Sequence, residues 1–278
     1  MKLTPQVLEL DWDDVTERIK RFIREYVEKT NAEGIVLGIS GGVDSSTAAA
    51  LSALAIGGEK VLGLIMPEEE TYNPKDIEDA KRVSEKFGIK TEIIDISNIL
   101  KAFYTAIPNF NEQDKVSKGN IKARTRMICI YYYANSQNRI VVGSSDKSET
   151  MMGYFTKWSD VAADISPLMD LYKTQVRKLA LHIGVPKEIA LKPSTPALWP
   201  NQTAEQELGI KYEVLDLILY GLERFMKPQE IASQLDLPVE TVERVKARWI
   251  ANEHKRRMPL TVKIQYRTVG ADFRLPRT

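Results

Sequence analysis

Ser40-Gly41-Gly42-Val43-Asp44-Ser45-Ser46 stands between an apolar run at 35–39, IVLGI, and an alanine- and leucine-rich run that lasts to Gly57-Gly58. The first run has the length of a buried strand and the second reads as a buried helix. The seven residues between them are therefore a strand-to-helix turn. Adjacent glycines let such a turn bend tightly and bring its N–H groups close to an anion. The helix start adds unpaired N–H groups, and Ser40, Ser45 and Ser46 add hydroxyls. The natural guest is a polyphosphate. A Walker loop would need GxxxxGK[ST], and no lysine stands here. A dinucleotide fingerprint would need GxGxxG, and counting from Gly38 the other two glycine positions hold Ser40 and Val43. Asp44 would repel phosphate unless Mg²⁺ bridges the two.

Working outward, the strand–helix pattern repeats. An amphipathic helix is predicted over 13–29, strands over 60–66, 90–96 and 139–143, and helices over 74–87, 97–106 and 121–136, with a polar loop at 108–120. Such alternation predicts an α/β fold of three layers, a mostly parallel sheet with helices on both faces and right-handed crossovers. Ligands in such sheets sit beyond the C-terminal ends of the strands. The remainder is helical: 170–183, then 212–224, 228–235 and 239–252, after a loop or flap at 187–210 that is rich in proline, threonine and asparagine. A basic tail with a possible strand at 261–266 follows. We expect one domain over 1–278, with a nucleotide-binding core at about 13–185, a mobile loop at about 190–210 and a helical C-terminal part at about 211–260.

Composition narrows the function classes. The 278 residues carry 39 Lys+Arg against 38 Asp+Glu, so net charge near neutrality offers no global pull toward nucleic acid or acidic lipid. The single cysteine, Cys129, excludes an intrachain disulfide framework and any metal or redox site built on a cysteine pair. The apolar runs fall well short of the ~20 residues that span a bilayer. The N-terminus lacks a basic start and apolar run, so cytoplasmic residence is expected.

Three further clusters carry candidate chemistry. In GNIKARTRMICIYY (119–132), Lys122 and Arg126 are four apart and can share a helix face; it either holds an anionic substrate or, as periodicity alone favours, is the solvated face of a helix with an apolar back of Met127, Ile130 and Tyr131. In GSSDKSETMMGYFTKWSD (143–160), a polar loop after a strand, Glu149 is a candidate second metal carboxylate opposite Asp44. Thr156 and Lys157 are candidate phosphate or ribose contacts there, and Asp160 and Asp164 are spaced to share a helix face. Lys173 sits early in its helix, where the dipole disfavours a cation unless an anion lies in front.

The first motif resembles the SGGxDS signature of the ATP pyrophosphatases. Taken with GNIKARTRM (119–127), KSETMMGYFTKWSD (147–160), DISPLMDLYKTQVRKLA (164–180), PALWPNQTAEQELG (196–209) and HKRRMP (254–259), the chain closely resembles the ammonia-dependent NAD synthetase family over roughly 12–260. The resemblance implies an adenine nucleotide alpha hydrolase-like fold. It also implies ATP-dependent amidation of deamido-NAD by ammonia through an acyl adenylate, giving NAD, AMP and pyrophosphate. Carried onto this chain, it places ATP on Gly38, Ser40, Gly41, Gly42, Val43, Asp44, Ser45, Ser46, Arg124, Ser144, Thr156, Lys173 and Thr195. It places deamido-NAD on Arg126, Phe155, Lys157, Asp164, His254 and Lys255, and Mg²⁺ on Asp44 and Glu149. Asp44, Lys173 and Asp164 are the implied catalytic groups, and Asp164 a candidate proton acceptor. A homodimer with the deamido-NAD site across its interface is implied, with no fused glutaminase and no nucleic-acid or membrane partner. Family carboxylates are absent at Ala197 and Ala204, and Ser144 keeps a hydroxyl where threonine is usual.

Two other readings stand beside this one: an amide ligase of the same superfamily acting on a different carboxylate, and a helix-turn-helix over 228–246. The second competes with a plain helical hairpin that buries Ile231, Leu235, Val242 and Val245, and Glu240 and Glu243 would repel DNA.

Overall fold

The computed structural model describes residues 2–269, 272 and 273. A short 3₁₀ turn (Pro5–Leu8) leads into α1 (Trp12–Thr30), whose N-terminus is capped by the Asp11 carboxylate. Then follow β1 (Gly34–Gly38), α2 (Val43–Ile56), β2 (Val61–Ile65), α3 (Pro74–Lys86), β3 (Lys90–Ile93), α4 (Ser97–Ala106), α5 (Lys115–Ser136) and β4 (Arg139–Val141). The second part holds α6 (Lys147–Met152), α7 (Lys173–His182), α8 (Lys187–Ala190), α9 (Ala204–Leu208), α10 (Tyr212–Glu223), α11 (Pro228–Leu235), α12 (Val239–Ala251) and α13 (Glu253–Arg256).

The strands form one parallel sheet in the order β3-β2-β1-β4, with Val36 facing Leu62 on one side and Val141 on the other. Their period-two alternation builds the three layers. Ile35, Leu37, Val61 and Ile65 point to a core shared with α1, α2, α3 and α7, and Val36, Leu62, Leu64 and Val141 to a core shared with α4 and α5. α2 is apolar on all sides because it lies buried under this first face. The predicted three-layer, mostly parallel α/β fold is therefore present.

The C-terminal helices pack beside the sheet rather than on it. Leu215, Ile218, Leu219, Ile231, Val242 and Val245 form a separate core with Leu3, Leu8, Met151, Met152 and Tyr172. α11 and α12 spend their apolar faces on this core, so the segment read as a helix-turn-helix is a packed helical hairpin.

Several boundaries differ from the sequence reading. The loop expected at 108–120 ends early, because Asp114 caps α5 by accepting from Ser117 N at 3.0 Å and starts the helix at Lys115. The polar stretch 143–160 contains α6, and the flap at 187–210 contains α8 and α9. Asp160 and Asp164 share no helix face, since no helix runs between α6 and α7. Residues 261–266 form no strand among the described residues.

Candidate active site

The Gly-Gly turn lies where β1 delivers it, beyond the C-terminal end of a central strand. Gly42 caps α2. Gly41 has φ +76°, and a Cβ there would sit 2.3 Å from the Asp76 carbonyl oxygen, so both the conformation and the close approach require glycine. Hydroxyls tie the turn together: Ser40 N donates to Ser45 Oγ at 3.1 Å, Ser40 Oγ lies 3.0 Å from Ser45 Oγ, and Gly42 N donates to Ser40 Oγ at 3.3 Å.

The turn opens onto a cavity of about 500 Å³. Gly38, Ser40, Gly42, Val43, Asp44 and Ser45 form one wall, and Asn120, Ala123 and Arg126 of α5 another. Ser144, Glu149, Phe155, Thr156, Thr195 and Lys255 also line it, as do Ala197, Leu198 and Trp199 of the flap.

Where Asp44 and Glu149 line the cavity stands a charged centre. Lys173 Nζ lies 2.5 Å from Asp44 Oδ2, 2.8 Å from Glu149 Oε1 and 2.8 Å from Asp146 Oδ2, and the lysine side chain is fully buried. Burial alone would pull the ammonium pKa down, but the surrounding carboxylates hold it well above its ordinary value. Burial pushes the Asp146 and Glu149 carboxyls up. Three carboxyl groups thus face one ammonium. Asp44 Oδ1 is buried without a hydrogen-bond partner. Three carboxylates with an orphaned oxygen suit a hard divalent cation. Asp44 and Glu149 reach the cavity, whereas Asp146 is fully buried behind them.

Local sequence explains this convergence. Asp146 caps α6 by accepting from Glu149 N at 2.8 Å, which sets Glu149 one turn away. Lys173 opens α7 with its head among anions, and that removes the dipole objection raised by its position.

Other candidates fall into two groups. Arg126, Ser144, Phe155, Thr156, Thr195 and Lys255 line the cavity. Thr156 Oγ1 donates to Asn120 Oδ1 at 2.7 Å, and Lys255 Nζ donates to Gly153 O at 2.7 Å and Phe155 O at 2.9 Å. Outside it lie Gly41, which backs the turn, and Ser46, fully buried on α2. Arg124 is also outside: its guanidinium donates to Lys157 O at 3.1 Å, while Lys157 Nζ sits 5.2 Å over the Trp158 ring. Asp164 and His254 are exposed, and Asp164 Oδ2 accepts from Val141 N at 2.8 Å at the sheet edge. Lys122 and Arg126 lie one turn apart on α5, but only Arg126 reaches the cavity; Lys122 is fully buried and donates to Glu68 at 2.8 Å and Glu70 at 2.7 Å.

Asp146 and Lys192 were missed from sequence. Asp146-Lys147-Ser148-Glu149 has the spacing of a capped helix start, a signal that could have revealed α6 and both carboxylates. Lys192 carried no such signal. Its Nζ lies 2.5 Å from Asp76 Oδ1 and 2.8 Å from Asp79 Oδ2, which anchors the flap to α3 behind the Gly-Gly turn.

A clothed parallel sheet with this turn at its strand ends defines a three-layer α/β protein of the adenine nucleotide alpha hydrolase-like class. The model of the NAD synthase family matches residues 15–259, and the chain belongs to that family. An NH3-dependent NAD+ synthetase of Methanocaldococcus jannaschii is 51% identical over 254 residues, 91% of this chain and 97% of that one. Among solved structures, an NMN synthetase of Francisella tularensis matches with TM-score 0.81 and 32% identity, over 92% of this chain and 100% of that one. An NH3-dependent NAD synthetase of Campylobacter jejuni in complex with nitrate matches with TM-score 0.77 and 31% identity, over 91% and 100%.

Proposed function

We propose that the chain is an ammonia-dependent NAD synthetase that amidates deamido-NAD at the expense of ATP. The observation that carries this reading is the Lys173–Asp44–Glu149 centre, with its lysine fully buried, beside the Gly-Gly turn where Asp44 and Glu149 line the cavity. A carboxylate does not react usefully with ammonia because its leaving group is poor. Its oxygen attacks the α-phosphorus of ATP, the α–β bridging bond breaks, and pyrophosphate leaves. Ammonia then adds to the carbonyl carbon of the acyl adenylate, AMP departs, and one proton is released.

The residues divide this work. Backbone N–H groups of the turn and the hydroxyls of Ser40 and Ser45 hold the β,γ-phosphates. Lys173 stabilises charge that develops on the phosphoryl oxygens. Asp44 and Glu149 would hold Mg²⁺, which supplies charge neutralisation at the leaving pyrophosphate. The flap around Ala197–Trp199 keeps water from the adenylate. The chain acts as one domain, since core, flap and the C-terminal residues Arg248 and Lys255 wall the same cavity.

We also infer a homodimer in the cytoplasm. Asp164, His254 and Lys157 lie outside the cavity of one chain, and the outer face of α5 exposes Ile128 and Tyr132. A second copy laid on that face would bring such residues to a shared deamido-NAD site. Among the described residues no helix is long and apolar enough to cross a membrane.

The test follows NAD, AMP and pyrophosphate together from deamido-NAD, ATP, Mg²⁺ and ammonium. Stoichiometric appearance of all three, lost without ammonium and in Asp44→Ala, supports the reading. The Francisella NMN synthetase similarity gives a second arm, the deamido counterpart of NMN. Faster turnover of that mononucleotide than of the dinucleotide would move the substrate and keep the chemistry.

A further inference from the structure

The helical C-terminal part reaches the charged centre through one carboxylate that never touches the cavity. Asp216 lies on α10, is fully buried and is absent from the cavity wall. Its Oδ2 accepts from Thr174 N at 2.9 Å and Thr174 Oγ1 at 2.7 Å, and its Oδ1 accepts from Ser148 Oγ at 2.6 Å. Ser148 Oγ in turn accepts from Lys173 N at 2.9 Å. One carboxylate therefore clamps the first turn of α7 to the first turn of α6. Those two turns carry Lys173 on one side and Asp146 and Glu149 on the other.

Tyr212, one turn earlier on the same face of α10, packs its ring 5.3 Å from Lys173 Nζ. The contact is made by the ring and leaves Tyr212 Oη buried without a partner. Three donors on one buried carboxylate, two of them the N–H and the hydroxyl of Thr174, exceed what capping α7 alone requires. The bridge through Ser148 is the part that capping does not explain.

We propose that Asp216 is a positioning residue for the amidation centre: it holds Lys173 in register with Asp146 and Glu149, and so makes the geometry of the phosphoryl-transfer site depend on the C-terminal helical layer. The proposal rests on the ATP-dependent amidation reading. Misregister of α7 against α6 by a fraction of an ångström would leave the Gly-Gly turn and the substrate walls in place while moving the ammonium and the metal carboxylates apart. Loss should therefore fall on turnover and on cation affinity rather than on substrate affinity.

The test compares the parent chain with Asp216→Asn, Ser148→Ala and the double variant. Folding is checked by circular dichroism, steady-state amidation is followed, and Mn²⁺ binding to substrate-free protein is read by electron paramagnetic resonance. Asp216→Asn is expected to lower kcat about tenfold or more and to weaken Mn²⁺ binding by a similar factor, with KM for ATP and the dinucleotide within about twofold. Ser148→Ala, which keeps the Asp216–Thr174 contacts but loses the link from Asp216 to α6 and the acceptor for Lys173 N, is expected to move both readouts in the same direction. The double variant should be little worse than Asp216→Asn, because one bridge has been cut twice. If Asp216→Asn does not fold, Ser148→Ala decides alone. Folded variants with parental kcat and Mn²⁺ affinity would overturn the proposal, as would a double variant whose loss is the product of the single losses. Absence of NAD formation by the parent would instead sink the functional reading, and Mn²⁺ binding would still test the clamp.

Discussion

At the scale of the residue, the molecule concentrates its cost at Lys173. Its ammonium is fully buried among Asp44, Asp146 and Glu149, and removal of one partner from such a group leaves charge unpaired in a poorly solvated place. Lys173→Met should destabilise the metal-free protein by about 3 kcal/mol. Added Mg²⁺ should restore part of this, since a cation can take over the carboxylates. Amidation should still fall by about a hundredfold or more, because the metal cannot replace a charge aimed at the transferring phosphoryl group. Thermal melts with and without Mg²⁺, beside a turnover assay, check both halves. Gly41 sets the second residue-level limit. Gly41→Ala places a Cβ in a left-handed conformation against the Asp76 carbonyl, which should cost about 1–3 kcal/mol and weaken ATP binding measured by calorimetry. The residues that sequence could find here were those with a chemical oddity: an acid in a phosphate turn, a lysine at a helix start. Asp146 escaped because a capping aspartate looks ordinary until three other charges are folded around it.

At the scale of the element, periodic signals were legible and short ones were not. α1, α2 and the strands announce themselves by spacing, since each buries a face that must be apolar. α6 is only six residues long and polar at its start, too short to show a period, and its existence rests on the Asp146 cap. The flap is likewise held by charge rather than by an apolar face. Lys192 bridges it to Asp76 and Asp79 of α3, and Asp79 is almost wholly buried. Lys192→Met should cost about 2 kcal/mol, less than a fully buried pair because Lys192 is partly exposed and Lys75 remains beside Asp79. The more telling readout is limited proteolysis. Cleavage within 190–210 should quicken well before the global melt changes, and equal protection of parent and variant would contradict an anchoring role.

At the scale of the whole molecule, buried carboxylates of two kinds shape the response to pH. Burial alone would raise Glu68 and Asp79, but hydrogen bonds from Lys122 and Thr71 to the first, and from Lys192 and Lys75 to the second, hold both below the ordinary range. Their contribution is present above the unfolded value near 4 and disappears as pH falls through the folded values. Asp216 runs the other way, pushed up to about 7 mainly by burial, with Ser148 and Thr174 opposing. Its contribution is full below the unfolded value and is lost as pH rises from about 4 to 7, at about 1 kcal/mol per unit. Metal-free protein should therefore melt lower both below about pH 4 and toward pH 7, and the second slope should be shallower in Asp216→Asn. Calorimetry across pH 3–8 checks both limbs, and identical slopes in parent and variant would remove Asp216 as the source. The layered sheet, the tight Gly-Gly turn and the family were legible in the residues alone, because burial periodicity and tight-turn chemistry are local and leave a local record. Tertiary packing alone settles that Lys122 is a core lysine ion-paired to Glu68 and Glu70, while Lys173 meets Asp44 and Glu149 beside the cavity. It likewise places Asp164 and His254 outside one chain's cavity, and brings Asp216 onto Thr174, 42 residues away, and Ser148, 68 residues away. Those outcomes depend on which charges meet in space, and electrostatic partners distant along the chain leave no periodic trace in it.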